Sequence, residues 1–185
     1  MKTAAVVIFE GFEEVEAVAP VDILRRAGVC VKLVAAGDRL QVCGRSSITV
    51  CADALFSEIA ESEFDAVVLA GGPGVRAAAS DARLIEFFAR HFRAGKITAA
   101  ICAAPGALCR AGVFSGVRIT AHPSAMPEIS NADIDERADV VRDGNAVTSR
   151  GAGTAMAFAL EIASALEGAQ KALEVSSSIC YTPRL

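Results

Sequence analysis

Tryptophan is missing from the 185-residue chain and tyrosine occurs once, so the core must come from aliphatic residues, alanine and nine phenylalanines. Basic residues do not predominate: 18 Lys and Arg stand against 22 Asp and Glu, and they are scattered. That balance excludes a basic patch for nucleic acid and a polybasic segment for a membrane surface. No apolar run is long enough to span a bilayer. The run Ala4 to Phe9 is followed at once by Glu10, Glu13, Glu14 and Glu16 and lacks a cleavage site, so it reads as a strand and not a signal peptide. Six cysteines, Cys30, Cys43, Cys51, Cys102, Cys109 and Cys180, contain no C-x-x-C and no paired metal spacing. Free thiols in a reducing cytoplasm are the expectation, with no metal site and no cofactor. The terminal Pro183-Arg184-Leu185 matches a peroxisomal address poorly, because Pro183 replaces the small residue.

What is present reads as one α/β domain over 1–185. Ala4 to Phe9 has the continuous apolar character of a strand covered on both faces. Glu13 to Ala27 reads as a helix with Val15, Val18, Val21 and Leu24 inward, kinked at Pro20 and stopped at Gly28. Val29 to Ala35 is a second strand, so the chain opens β-α-β with a right-handed crossover. Ala66 to Ala70 and Ile97 to Ile101 are further buried strands, the first ending in Gly71-Gly72-Pro73-Gly74. Asp139 to Arg142 and Ala146 to Thr148 flank Asp143-Gly144-Asn145, a hairpin turn. The sum is a three-layer α/β/α sandwich with a mostly parallel sheet, a fold that binds ligands beyond the carboxyl ends of its strands.

The stretch Ile97-Thr98-Ala99-Ala100-Ile101-Cys102-Ala103-Ala104-Pro105-Gly106 places Cys102 where a strand meets a helix. Ala100 and Ala104 are small enough for a sharp turn, as around the nucleophile of G-x-S-x-G hydrolases. The helix N-terminus would favour the thiolate. Against this, free cysteine usually serves as a small buried hydrophobe. Gly72 could supply an N–H that, with those of Cys102 and Ala103, forms an oxyanion hole; it could equally be a tight-turn glycine. Glu16 is either a solvated first-turn acid, as Glu13 and Glu14 should be, or a carboxyl pressed against the thiol and pushed toward its neutral form. His122, after a strand, is a proton shuttle or a surface histidine before Pro123. His91, mid-helix, reads as structural. Arg25, Arg26, Arg45 and Arg150 could attract an anion. Cys43 and Cys51 could be secondary thiols, although packing accounts for them.

Glu13-Glu14-Val15-Glu16 with Pro20-Val21-Asp22 and Arg25-Arg26-Ala27-Gly28, Val68-Leu69-Ala70-Gly71-Gly72, Ala99 to Pro105, and Thr148-Ser149-Arg150-Gly151 with Gly153-Thr154 occur in that order. Together they resemble the DJ-1/ThiJ/PfpI superfamily, in its DJ-1 branch, over nearly the whole chain. The resemblance implies a flavodoxin-like fold and a homodimer. It implies an easily oxidised Cys102, a protonated Glu16 beside it, and the Gly72 N–H completing the pocket. His122 matches a histidine near the thiol in that branch. Arg45 lies near an arginine that reaches across the dimer, with a one-residue length difference around Cys43 to Cys51. Relatives of protease or amidotransferase type place His directly after the nucleophile, whereas Ala103 stands here. The resemblance points to a cofactor-independent glyoxalase or deglycase acting on reactive carbonyls or glycated proteins. The alternatives are a redox sensor or chaperone working through Cys102 oxidation and, more weakly, a cysteine hydrolase or amidase.

Overall fold

The computed structural model describes residues 1–182, so the terminal tripeptide lies outside the described residues. In chain order the elements are β1 (Thr3–Ile8), α1 (Glu14–Arg26), β2 (Cys30–Ala35), β3 (Gln41–Cys43), β4 (Thr49–Cys51), β5 (Ala54–Leu55), α2 (Phe56–Ile59), β6 (Ala66–Leu69) and α3 (Val75–Ala78). The second half runs α4 (Ala82–Arg93), β7 (Ile97–Ile101), α5 (Ala104–Arg110), β8 (Arg118–Ile119), β9 (Asp133–Ile134), β10 (Val140–Asp143), β11 (Ala146–Ser149), α6 (Ala155–Glu167) and α7 (Ala169–Ser178).

Seven strands form the central sheet in the order β10-β11-β7-β6-β1-β2-β5. Its neighbours pair parallel except the hairpin β10–β11. The strands β1, β6 and β7 carry unbroken small and β-branched apolar runs because helices cover both their faces. From β1 the chain steps to β2 on one side, and later from β6 to β7 on the other. With right-handed crossovers, opposite steps put α1 and α4 on opposite faces. The α6 helix packs on α1 and over β7 and β11. The order reverses beside β1, which opens a crevice at the carboxyl ends of β1, β6 and β7.

The α1 helix departs from the sequence reading. Val15 and Val18 face outward, 49% and 47% exposed, while Glu14 and Glu16 are buried. A spacing of three drifts around a helix: at about 100° per residue, positions 15 and 24 lie on opposite sides. The inward face is Ala17, Val21 and Leu24, flanked by Pro20 and Ile23. The helix runs on through Pro20, whose missing N–H leaves the Glu16 carbonyl without the bond that position would donate. Asp81 caps α4, its carboxylate accepting from the Arg83 N–H at 2.9 Å. The β3–β4 hairpin lies apart from the main sheet and packs on the β1–α1 loop, with the Gly11 N–H donating to Cys43 O at 2.9 Å. The β8 strand lies within the strand expected over Val117 to Thr120 before His122, whereas its partner β9 was not legible beforehand, since a two-residue strand leaves no periodicity.

His91 is structural, as its place in α4 implies. Its ring is buried against Phe87 and Phe64, with centroids 4.4 and 6.2 Å away. The Phe64 N–H donates to Nε2 at 3.1 Å, and Nδ1 lies 2.7 Å from the Phe87 carbonyl. One nitrogen must therefore accept while the other donates, which only the neutral ring can do. Burial holds its pKa below the usual 6.5. A base depressed in the folded state stabilises fully above about pH 6.5 and loses that contribution as pH falls below it. The His91→Gln protein, which keeps one donor and one acceptor, is expected to lose less stability than wild type between pH 7 and 5. Urea unfolding at both pH values checks this; equal losses would contradict a neutral, buried His91.

Candidate active site

Three strand ends converge on Cys102. The β7 strand delivers it at the joint with α5, in a left-handed backbone conformation with φ 65°. For a residue with a Cβ this conformation costs roughly 1–2 kcal/mol. Two backbone bonds pin it: the Cys102 N–H donates to Ser149 O, and the His122 N–H donates to Cys102 O, both at 2.9 Å. Fully buried Ala100 and Ala104 flank the turn.

Glu16, in the first turn of α1, is only 1% exposed. Its Oε2 accepts the Gly71 N–H at 3.0 Å, and its carboxyl hydrogen-bonds the Cys102 thiol. The contact exists because Gly71 has no side chain. A Cβ there would lie 2.4 Å from Glu16 Oε2 and 2.6 Å from Cys102 Cβ. Gly72, at φ 112°, nests against the β1–α1 loop, where a Cβ would meet Gly11 O at 2.5 Å. The turn needs glycine, and its Gly72 N–H faces sulfur together with that of Ala103.

Burial pushes the Glu16 carboxyl up to about 7, helped by the nearby Glu13 charge and opposed by the Cys102 hydrogen bond, the Gly71 N–H and Arg45. Burial likewise pushes the thiol up, to about 12 while an ionised Glu16 adds its repulsion; the N–H groups of Ala103 and Gly72 pull the other way. The field expected from the helix terminus, here that of a helix of only seven residues, works against this desolvation. Two acids in contact cannot both be charged near neutrality, so the pair keeps at least one proton between them.

His122 stands close by. A Cβ on Gly151 would lie 3.6 Å from His122 Cδ2 and 3.7 Å from Glu16 Oε1, ordinary contact distances, so both side chains lie beside that glycine. The His122 Nδ1 accepts the Ser124 N–H at 3.2 Å, which in the neutral ring assigns the proton to Nε2. The Gly151 loop is strapped by Thr154, whose Oγ1 accepts the Gly151 N–H at 3.2 Å and lies 2.6 Å from Ser149 Oγ. Arg150 lines a polar cavity with His122 and, among the described residues, makes no ion pair.

Other expected residues fall elsewhere. Arg25 sits near the far end of α1, nine residues beyond Glu16 and so about 13 Å along the axis. There it ties Asp53 at 2.6 Å and the Val31 carbonyl at 3.1 Å. Arg45 pairs with Glu13 at 3.1 Å on the β3–β4 hairpin, which also carries Cys43 and Cys51. Glu14 is not solvated: its Oε1 accepts the Ser46 N–H at 2.8 Å and fills the space beside Gly44. Sequence reasoning missed Gly71 as a spacer, because a glycine's role as a gap shows only once its neighbours are in place.

The fold and the cysteine elbow define a flavodoxin-like protein with a buried carboxyl–thiol pair. Residues 2–165 match the model of the DJ-1/PfpI family. The Drosophila melanogaster protein dj-1beta is 39% identical over 96% of each chain. A crystal structure of Drosophila melanogaster DJ-1beta superposes with a TM-score of 0.95 at 36% identity, covering 98% of this chain and 99% of that one. A Pyrococcus abyssi protein named as a deglycase is 37% identical over 84% of this chain and 94% of its own. The chain belongs to the DJ-1/PfpI family.

Gly71→Ala is expected to destabilise the protein by about 1–3 kcal/mol, because its Cβ cannot coexist with both Glu16 and Cys102. Gly37→Ala, with open space around it, is the control and should be nearly neutral. Urea midpoints compare the two; a Gly71→Ala protein as stable as the control would contradict the tight fit.

Proposed function

We propose that the chain is a cofactor-independent glyoxalase or deglycase acting on 2-oxoaldehydes such as methylglyoxal, or on their protein adducts. The observation that carries this is the buried Glu16 carboxyl in hydrogen-bond contact with Cys102, under N–H groups from Gly72 and Ala103. The Cys102 thiolate adds to the aldehyde carbon, forming a C–S bond, and the carbonyl oxygen becomes an oxyanion held by those N–H groups. That oxygen takes a proton from Glu16, giving a hemithioacetal. The Glu16 carboxylate then removes the C1 proton to leave an enediolate, the C1 hydroxyl proton passes to the C2 oxygen, and Glu16 returns its proton to C2, which leaves a lactoyl thioester. His122, beside Glu16, is placed to relay protons with the surrounding water. Water hydrolyses the resulting lactoyl thioester, freeing lactate and the thiol. C1 is oxidised and C2 reduced within one molecule, so no external redox partner is required. The name of the Pyrococcus abyssi relative supports the deglycase form of the reading.

A second reading draws on the same donors. Cys102 is partly exposed, and two equivalents of peroxide would convert its thiolate to a sulfinate, with two waters released. Glu16 and the N–H groups of Gly72 and Ala103 would hold the sulfinate oxygens, making the protein a redox sensor or chaperone. Ala103 in place of a histidine argues against hydrolase or amidase chemistry. We further read the chain as a cytoplasmic homodimer. Among the described residues no helix is long and apolar enough to cross a membrane. Exposed Val15, Val18, Ile48 and Met156 surround one shallow groove of about 390 Å3 that a second copy would cover.

Methylglyoxal consumption with lactate detection, after glutathione is removed, tests the enzyme reading. Wild type is expected to form lactate, and Cys102→Ser and Glu16→Gln to lose at least about a hundredfold in rate. Undiminished turnover by Cys102→Ser would refute the covalent step. Peroxide-dependent mass gain at Cys102 without aldehyde consumption would favour the sensor.

A further inference from the structure

A cavity next to the N–H donors that face Cys102 carries a charge opposite to that of the chain. Gly72 and Ala103, whose N–H groups face the thiol, also line a cavity of about 170 Å3. Arg76 from α3, Arg110 at the end of α5 and Glu128 from the turn after His122 line the same cavity. Arg76 Nη2 donates to Glu128 Oε1 at 3.0 Å and to Oε2 at 2.8 Å, and Arg110 Nη1 donates to Oε2 at 2.9 Å. Two guanidinium groups thus converge on one carboxylate and leave the cluster with a net positive charge, whereas the whole chain carries −4. Each guanidinium has five N–H donors, and these bonds use a single nitrogen of each. As a stabilising device the cluster is weak, since Arg76 is 74% exposed and Glu128 48%. Its position beside the oxyanion donors gives it a different use.

We propose that Arg76 and Arg110 form a carboxylate-recognition subsite beside Cys102, so that preferred substrates carry a carboxylate beyond the reacting carbonyl. Glu128 is the resident occupant: it shows that the two guanidinium groups accept a planar carboxylate, and an incoming one exchanges with it. The substrate class is therefore an acidic 2-oxoaldehyde, or an adduct near an acidic side chain or chain terminus, in preference to neutral methylglyoxal. This rests on Cys102 being the group that meets the substrate. It does not require that the protein complete a turnover.

The test uses two alkylating reagents that differ in one charge, N-iodoacetylglycine and N-iodoacetylglycinamide. In both, the Cys102 sulfur takes the methylene carbon and iodide leaves, so the ratio of their rates isolates the effect of charge. Rates at Cys102 are read by peptide mass spectrometry and divided by those for free cysteine. Wild type is expected to prefer the acid. The double variant Arg76→Ala/Arg110→Ala should lower that preference about three- to tenfold, and Glu128→Gln should raise it, with little change in the neutral rate. Added salt should weaken the preference. The same ratio in all three proteins would overturn the subsite. If the double variant fails to fold, Glu128→Gln carries the test alone, because its effect has the opposite sign. A wild type that prefers the acid but leaves methylglyoxal untouched would end the glyoxalase reading and keep the subsite. Lactate formation with a flat ratio would do the reverse.

Discussion

One proton held between a buried carboxyl and a half-buried thiol governs the site. Glu16 and Cys102 touch in a space that excludes water from the carboxyl, and neither is comfortable charged there. Their contact makes the second ionisation harder than the first. Which atom carries the charge then depends on the donors the backbone aims at each. Sulfur faces two N–H groups, from Gly72 and Ala103, while the Glu16 carboxylate accepts one, from Gly71. That imbalance works against the desolvation that raises the thiol, and the covalent reaction proposed above requires it to prevail: a thiolate beside a neutral carboxyl is the state in which a nucleophile and an acid coexist.

The surrounding fold keeps that contact close. The β1–α1 loop and the di-glycine after β6 approach closely because Gly71 and Gly72 leave the space open, and the Gly151 loop after β11 packs beside them at ordinary contact distance. The strain at Cys102 is held by bonds to Ser149 and His122, which belong to two other segments. Pro20 frees the Glu16 carbonyl from its helical partner one turn on. The parallel sheet contributes the crevice, and chemistry enters only through what lines it. Around the mouth, arginines that match no motif set the local charge, so specificity is written in residues separate from those that would react.

Much of this was legible in the sequence. Buried parallel strands announce themselves as unbroken apolar runs, which is why β1, β6 and β7 and the elbow at Cys102 could be read directly. The resemblance in Glu13 to Glu16 and Ala99 to Pro105 pointed to the family. What failed were questions of direction. The spacing of Val15 and Val18 looked inward because a three-residue period drifts unnoticed over a long helix. Glu14 looked solvated because nothing local shows that a hairpin more than thirty residues on closes over it. Arg25 looked available because its partner Asp53 is distant in the chain. The thiol's surroundings were legible only in part: a helix terminus is visible in sequence, but desolvation belongs to the assembled pocket.

The most direct measurement is the pH dependence of Cys102 alkylation by iodoacetamide in wild type and Glu16→Gln. With the shared proton on Glu16, its carboxyl O–H supports the thiolate better than an amide N–H can. The Glu16→Gln midpoint should therefore move upward, by an amount worth about 1 kcal/mol. A downward shift would place the proton on sulfur instead, with Glu16 as an ionised neighbour whose removal relieves repulsion. Superimposable profiles would mean that the two groups do not share a proton, and would contradict the account at its centre.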